Sequence, residues 1–208
     1  MLRHGNIFYS PMRLYEFDSI EIEGVRVYQN ILFRDSRGYF QEWHKHSQLP
    51  NQIDEVFFRQ ANFSKSKKNV IRGLHFSLSH QYKLITVLDG VIKDVLVDLR
   101  SNSKSFLRKF EIIISSEEPI TLFVPPHIAH GFSVLSKTAS IAYLVSTEYE
   151  PSNEIVIHPL DKDLAIDWKV KQPIISEKDR FGHTLNYYLN NFENFSFTNE
   201  AKYDNLGK

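Results

Sequence analysis

Residues 84–100 read Leu-Ile-Thr-Val-Leu-Asp-Gly-Val-Ile-Lys-Asp-Val-Leu-Val-Asp-Leu-Arg, two apolar runs separated by one Asp-Gly pair. Because an Asp-Gly pair suits a type I′ turn, the pattern predicts a β-hairpin. Alternation places valines on one face of the second strand and Asp94, Asp98 and Arg100 on the other. That polar face fits a strand lining a cavity and a strand open to solvent equally well.

Short strands are predicted on both sides of this hairpin. Residues 57–68 read as an aromatic strand followed by a basic loop, and residues 20–33 alternate weakly. Further strands are predicted at 110–114, 120–124, 131–135 and 141–146, between clusters of turn-forming residues. Many short strands at short spacing, without a convincing long helix, favour an all-β antiparallel sandwich or barrel.

A single domain accounts for most of the chain, since 208 residues can bury one sizeable core. We expect this domain to span residues 1–184, with an N-terminal extension at 1–16 and an irregular segment after Pro151. Residues 185–208 are predicted to form a C-terminal extension. They are rich in asparagine and aromatic residues without a period, so the sequence leaves their order open.

The composition excludes several classes of function. Lys and Arg number 25, as do Asp and Glu, so no overall field favours nucleic acid or an acidic membrane. The absence of cysteine rules out disulfides and thiolate metal sites and fits a reducing compartment. The N-terminus does not read as a secretory signal, and no apolar run approaches membrane-spanning length. We therefore predict a cytoplasmic protein that holds any anionic ligand through a local cluster.

Residues 71–76, Ile-Arg-Gly-Leu-His-Phe, are the first candidate for a functional site. They place His75 near Arg72 and before Lys83 in an apolar run, where charged groups are costly to bury unless they are paired or used. A lone strand histidine is more often a satisfied core residue. Segments that supply a further imidazole, a phenol, an ammonium group and carboxylates follow at 125–132, 141–145 and 176–179.

Four segments resemble the successive signatures of the dTDP-4-dehydrorhamnose 3,5-epimerase family, in the family's order and at similar intervals. They are residues 72–76, 95–100, 129–135 and 176–179. The resemblance implies a double-stranded β-helix, the cupin jelly roll, with short peripheral helices and an irregular C-terminal segment. It also implies a homodimer.

The reaction of this family, epimerisation beside a ketone, needs a base on one face of the sugar ring, an acid on the other and stabilisation of the enolate between them. By the resemblance, His75 is the base and Asp179 orients its imidazole. Lys83 would bind the ketone oxygen, and Tyr143 would be the acid on the opposite face. We therefore expect an epimerase that inverts C3, C5 or both in a nucleotide-linked 4-keto-6-deoxy sugar, in deoxysugar and surface-polysaccharide biosynthesis, without a cofactor.

The resemblance also implies a set of contacts to the nucleotide-diphosphate sugar. They are Arg37, Glu42, Gln60, Asn62, Arg72, His130, Glu154 and Lys178. Arg72 and His75 have opposite parity on a regular strand. Both can face one cavity only if Gly73 permits a bulge or kink, which is a common use of a strand glycine.

The chain departs from the family in three places. Ala61 and Phe63 replace an acid and a histidine, and Leu144 follows Tyr143 where the family has a lysine. The loop at 76–82 is shorter and lacks the glycine that precedes the lysine. A register shift of one residue would put Leu144 in the place of the tyrosine. We expect these changes to alter the walls around the sugar ring, so the nucleotide, the sugar and the number of inverted centres stay open.

One alternative is a metal-dependent cupin enzyme using His75 or His80 with His127 and His130. Imidazoles suit Fe, Ni or Zn, but the His-x-His plus glutamate pattern of such sites is missing near His75, so no metal is predicted. A His-x-His pair does occur at residues 44–46, within a polar stretch that is typical of a surface pair.

Two further alternatives keep the same fold. A non-catalytic sugar-binding cupin is disfavoured by the joint presence of a candidate base and a candidate acid. A C3-only epimerase acting on a GDP- or CDP-linked keto-sugar, heptoses included, stays open because the walls of the site are expected to differ.

Overall fold

The computed structural model describes residues 13–15, 21–49 and 56–192, which form two antiparallel β-sheets and one separate hairpin. The strands are β1 (Arg13–Tyr15), β2 (Arg26–Gln29), β3 (Ile31–Asp35), β4 (Gly38–Glu42), β5 (Gln60–Lys67), β6 (Ile71–Ser77), β7 (Lys83–Asp89), β8 (Val91–Asp98), β9 (Lys109–Ser115), β10 (Ile120–Val124), β11 (Ile128–Val134), β12 (Thr138–Val145) and β13 (Glu154–Val156). The helices are α1 (Glu177–Arg180) and α2 (Leu185–Phe192), with 3₁₀ turns at His46–Gln48 and Pro151–Asn153. The predicted all-β jelly roll with short peripheral helices is confirmed.

The two sheets face each other across one apolar core. The six-stranded sheet has the order β1-β2-β10-β7-β12-β5, and the five-stranded sheet has the order β13-β6-β11-β8-β9. Ile85 and Val87 from the first sheet meet Ile92 and Leu96 from the second in this core. Burying each such side chain contributes about 1.5–3 kcal/mol to folding.

A second core covers the outer face of the five-stranded sheet. Val95 and Val97 of β8 point away from the first core, yet they are buried beneath Trp168, Leu185 and Tyr188. Because both of its faces are covered, β8 is apolar along most of its length. The C-terminal segment is therefore packed on the sheet, and it carries α1 towards β6.

The predicted terminal extensions are described only in part. The C-terminal extension begins with α2, which belongs to the second core. Its remaining residues, 193–208, and most of the predicted N-terminal extension lie outside the described residues.

The predicted hairpin at residues 84–100 is wrong, although both of its strands exist. Strand β7 pairs with β10 and β12, whereas β8 pairs with β9 and β11 in the other sheet. Gly90 lies at this corner with φ +86°, and an added Cβ would stand 2.2 Å from the carbonyl oxygen of Thr138. The glycine therefore serves a tight crossing between sheets. Both strands are buried on both faces, so the local pattern did not show which neighbours they would take.

The strands predicted at 110–114, 120–124, 131–135 and 141–146 occur with ends shifted by up to three residues, and the stretch at 20–33 forms β2 and most of β3. The predicted basic loop after Phe58 is wrong, because β5 continues through it and pairs with β12 along its whole length. Ser64 and Ser66 face inward there, while Lys65 and Lys67 are exposed. This serine–lysine alternation is the period of a half-buried strand. Within the described ranges, no helix is long and apolar enough to span a bilayer.

Candidate active site

A cavity of about 370 Å³ lies between the two sheets. Its walls come from β5, β7 and β12 on one side and from β6, β11 and β13 on the other, with α1 and two loops at the rim. The lining residues are Gln60, Asn62, Ser64, Arg72, His75, Gln81, Lys83, His130, Phe132, Ile141, Tyr143, Val145, Tyr149, Glu154 and Lys178. Nine of the twelve site residues predicted from the sequence therefore line one cavity. The three that do not are Asp179, Arg37 and Glu42.

Strand β6 is irregular where it passes the cavity, as the parity of Arg72 and His75 requires. His75 lies opposite His130 on β11, but Arg72 lies opposite Phe132, so β6 holds one extra residue. Gly73 in this bulge has φ +116°, and an added Cβ would stand 2.5 Å from the Cα of the facing glycine on β11. The predicted kink at Gly73 is confirmed, and it turns both side chains into the cavity.

His75 is held by Asp179, which approaches from behind. The distance between His75 Nε2 and Asp179 Oδ1 is 2.5 Å. Ser176 caps α1 by accepting a hydrogen bond from the backbone N–H of Asp179. Burial by itself raises the pKa of Asp179, but the hydrogen bond and charge of His75 outweigh it, and the pKa lies below its usual value. Asp179 therefore stays a carboxylate that accepts the Nε2–H and leaves Nδ1 for the cavity.

Lys83 begins β7 at the floor of the cavity. Burial lowers the pKa of its ammonium group to about 8, while the charges of Glu154 and Asp94 act in the opposite direction. Its Nζ donates a hydrogen bond to the carbonyl oxygen of His75 at 3.2 Å. At neutral pH, this group is a buried cation beside the imidazole, and it can stabilise a developing oxyanion.

Tyr143 projects into the cavity from β12, on the wall opposite His75. Its neighbours in alternation, Ile141 and Val145, line the same cavity. Leu144 packs on the opposite face of the sheet, in a third apolar cluster. The register question raised by the sequence is therefore settled by alternation in favour of Tyr143 as the cavity residue. Burial raises the pKa of its phenol, so the group is protonated at neutral pH.

The expectation that Ala61, Phe63 and Leu144 change the walls around the ring is wrong. Gln60, Asn62 and Ser64 of β5 face the cavity. Ala61 and Phe63 stand between them and point to the other side, where the exposed fraction of Phe63 is 64%. Successive residues of a strand face opposite ways, so these two departures from the family, and Leu144 likewise, lie outside the cavity.

Three side chains form a polar group at the rim. Glu154 makes an ion pair with Lys178, and its Oε2 accepts a hydrogen bond from Tyr149 Oη at 3.2 Å. Lys178 Nζ also donates to Tyr149 Oη. Sequence reasoning missed Tyr149 and Gln81, because each stands in a polar loop with no period to mark it.

His130 forms a second imidazole–carboxylate pair beside the first. Its Nε2 lies 2.8 Å from Oδ2 of Asp94, a fully buried residue of β8. The sequence marked Asp94 as part of a polar strand face, and the structure places that carboxylate directly behind the cavity. The other Asp94 oxygen, Oδ1, has no hydrogen-bond partner among the described residues.

Arg37 and Glu42 are not part of this cavity. Both lie on the separate hairpin of β3 and β4, where Arg37 is bound to Asp35 and the carboxylate of Glu42 is 3.6 Å from Lys45 Nζ. The physical reason is topological, since this hairpin pairs with neither sheet in the described chain.

The histidines of the metal alternative are separated. His75 and His130 line the cavity, whereas His80 and His127 lie at a smaller one, with ring centroids 6.0 Å apart. Among the described residues, no three His, Asp or Glu side chains are grouped so that they could hold a metal ion. In the 44–46 pair, each ring packs against a neighbouring phenylalanine.

Comparison with known proteins agrees with this geometry. The family model described as dTDP-4-dehydrorhamnose 3,5-epimerase matches residues 19–186. The chain is 38% identical over 169 residues to the dTDP-4-dehydrorhamnose 3,5-epimerase of Escherichia coli (strain K12), covering 79% of this chain and 91% of that protein.

Two solved structures that this chain resembles contain nucleotide-sugars. One is the dTDP-6-deoxy-D-glucose-3,5-epimerase of Legionella pneumophila Philadelphia 1 in complex with dTDP-4-keto-L-rhamnose, with TM-score 0.74 and 36% identity, covering 85% of this chain and 94% of that one. The other is a 3′-monoepimerase of Streptomyces bikiniensis in complex with dTDP-quinovose, with TM-score 0.74 and 27% identity, covering 81% of this chain and 87% of that one. Together with the family match, these similarities show that the chain belongs to the dTDP-4-dehydrorhamnose 3,5-epimerase family of isomerases.

Proposed function

We propose that this protein inverts both C3 and C5 of a dTDP-linked 4-keto-6-deoxy sugar by proton removal and return beside the ketone. The observation that carries the proposal is the placement of His75 and Tyr143 on opposite walls of one cavity that Lys83 also lines. Inversion requires a base and an acid on opposite faces of the ring, and strands from two facing sheets supply that arrangement.

In this mechanism, His75 Nδ1 takes the proton from the carbon next to the ketone. Asp179 stabilises the resulting imidazolium from the other ring nitrogen, as a carboxylate does in a catalytic triad. The Lys83 ammonium binds the enolate oxygen, and Tyr143 delivers a proton to the carbon from the far side. Stabilisation of the oxyanion by a buried cation is usually the largest single contribution.

The remaining cavity residues are proposed to hold the nucleotide-sugar. Arg72 uses Nε to bind Ser66 Oγ at 2.9 Å, which leaves its terminal nitrogens for the diphosphate. Gln60, Asn62, His130, Glu154 and Lys178 supply further polar contacts at the walls and rim. Ser64 joins this set, because its buried hydroxyl lacks a partner among the described residues.

A homodimer is part of the proposal, because it would give Arg37 and Glu42 a role at a second copy's cavity. Their hairpin also exposes the large aromatic ring of Phe40. The test is to co-express differently tagged Arg37→Ala and His75→Asn chains and isolate the mixed dimer. Activity well above that of either parent means that Arg37 acts across the interface, and activity no higher than the parents' means that it does not.

The test of the function is incubation in D₂O with dTDP-, GDP- and CDP-linked 4-keto sugars, followed by mass spectrometry. Two deuterons with both centres inverted in the dTDP sugar support the proposal. One deuteron at C3 with C5 untouched would favour the second candidate, C3-only epimerisation. The similarity to the Streptomyces bikiniensis monoepimerase is the observation that supports this candidate. No uptake from any sugar would remove both.

A cytoplasmic location remains a prediction from the sequence. Fractionation of cells that express the full chain from its own start would test it. Recovery of the protein in the periplasmic or membrane fraction would contradict it.

A further inference from the structure

After every inversion, the proposed base and the proposed acid are both in the wrong protonation state for the next one. In the proposed mechanism, on which this inference rests, His75 gains the proton that the sugar loses, and Tyr143 loses the proton that the sugar gains. A second inversion, at the other carbon or in the next substrate, cannot begin until His75 has released its proton. The site therefore needs a route from His75 Nδ1 to solvent.

Asp179 cannot be that route. It binds the opposite ring nitrogen, and only 4% of its side chain is exposed. Its low pKa, set by the contacts that outweigh burial, makes it a weak proton acceptor. Lys83 and Arg72 are cationic donors, so neither accepts a proton at neutral pH.

Glu154 lies on the side of His75 that Asp179 leaves open. Its Oε1 is 4.0 Å from Nδ1 of the imidazole. That gap is the length at which one water, or a small side-chain rotation, completes a hydrogen bond. The carboxylate is 18% exposed, and through Oε2 it contacts Tyr149, which is 53% exposed. The groups thus form a graded path from the cavity to the surface.

We propose that Glu154 and Tyr149 form a proton exit that resets His75 between inversions. The Nδ1–H bond of the imidazolium breaks, and a bond forms from that proton to Oε1 of Glu154, directly or through one water. The imidazole is then neutral, and the carboxylate has become a carboxylic acid. Glu154 gives a proton to solvent at the Tyr149 hydroxyl, which accepts one proton and donates another. Solvent in the cavity returns one proton to the Tyr143 phenolate, so the site regains its starting charge. The ion pair with Lys178 holds the carboxylate in place at the rim of the cavity.

The proton exit and a merely structural role for Glu154 predict different kinetics, and those that follow are the ones expected for the exit. Glu154→Gln keeps the shape and the amide oxygen that accepts from Tyr149, but it removes the group that takes the proton. The first inversion per site needs no reset, so it should remain faster than the later turnovers, slowed by at most about tenfold through the lost substrate contact. Later turnovers should wait for His75, and the steady-state rate should fall by roughly tenfold or more.

The experiment is rapid-quench analysis of inverted product by wild type, Glu154→Gln and Tyr149→Phe, repeated with increasing concentrations of a small buffer such as formate or imidazole. A burst near one inverted centre per site, followed by a slow phase that buffer accelerates, supports the exit. Tyr149→Phe should show the same pattern more weakly, and it serves in place of Glu154→Gln if that variant does not fold.

Three results would overturn the exit. They are an unchanged steady state, a slow steady state that ignores buffer, and a loss of the burst itself. The last of these would show that Glu154 acts through substrate binding alone. Failure of the proposed function looks different, because wild type would then form no inverted product, and both proposals would fall together.

Discussion

Two imidazole–carboxylate pairs lie side by side on neighbouring strands, yet their surroundings differ. His75 and Asp179 are 2.5 Å apart, and His130 and Asp94 are 2.8 Å apart, with the two histidines directly opposite in the β6–β11 register. The His75 side chain is 28% exposed to the cavity, and that of His130 is 14% exposed.

The two carboxylates differ in their position and in their hydrogen bonds. We therefore expect the two imidazole–carboxylate pairs to differ in chemistry. Asp179 comes from a helix beyond the sheet and has its own hydrogen bonds, so it supports the imidazole in either protonation state. Asp94 is enclosed in the sheet and acts electrostatically on Lys83 as well as on His130. An imidazole beside a carboxylate does not by itself make a base. The first pair is suited to moving a proton, and the second to fixing a donor and a charge.

The largest expected effect separates the two histidines. His75→Asn should abolish deuterium uptake at every exchangeable carbon, a loss of at least about 10³-fold, because the base starts the reaction. The matched control, His130→Asn, should cost only about tenfold, the value of one hydrogen bond to substrate. Solvent exchange followed by mass spectrometry measures both. Equal losses, or uptake by His75→Asn within about tenfold of wild type, would end the distinction.

The carboxylate behind the base should give the next largest effect. Asp179→Asn should keep the fold but lower the turnover rate roughly 10²-fold, because the imidazolium loses its charged partner. Circular dichroism checks the fold, and steady-state kinetics check the rate. Indifference of turnover to this change would show that the pair is structural.

Tyr143 sharpens the comparison, because both histidines lie in the five-stranded sheet and the proposed acid comes from the six-stranded sheet. Tyr143→Phe should retain measurable exchange while losing most C5-inverted product, since His75 can still remove protons. The ratio of deuterium uptake to inverted product, followed over time, gives the answer. Equal loss of exchange and inversion would deny Tyr143 a separate role as acid.

Replacing Asp94 should change the pH dependence of kcat/KM. The Lys83 ammonium is needed for the oxyanion and has a pKa of about 8, so kcat/KM should fall as pH rises through that value. Asp94 raises this pKa, so Asp94→Asn should lower it and move the alkaline limb to lower pH. Profiles of kcat/KM between pH 6 and 10 would show the shift. An alkaline limb that stays in place would remove the electrostatic link between Asp94 and Lys83.

The smallest effect is expected from removal of metal ions, which should not change activity at all. If the facing imidazoles of His75 and His130 were instead ligands of one metal, the contrast between them would disappear. We expect chelation to leave activity unchanged and no stoichiometric transition metal to co-purify, because the chain has no cysteine and its histidine pattern is incomplete. Elemental analysis beside an activity assay checks this. Activity that tracks metal content would return the metal-dependent cupin alternative.

The sequence alone determined the local features of this protein. Strand positions could be predicted from alternation, because side-chain direction repeats every two residues whatever the strand pairs with. The need for irregular backbone at Gly73 followed from the same rule. So did one fact that was overlooked, since Ala61 and Phe63 have the opposite parity to Gln60 and Asn62 and could have been placed outside the cavity.

Only the tertiary structure decided which distant pieces meet. The crossing at Gly90 sends β7 and β8 to different sheets, a choice made by burial on both faces and invisible in the apolar runs themselves. Asp94 reaches His130 because β8 pairs with β11. The rim group of Glu154, Tyr149 and Lys178 likewise forms only when β13 and α1 dock. Such contacts depend on packing between segments far apart in the chain, and no short period in the sequence records them.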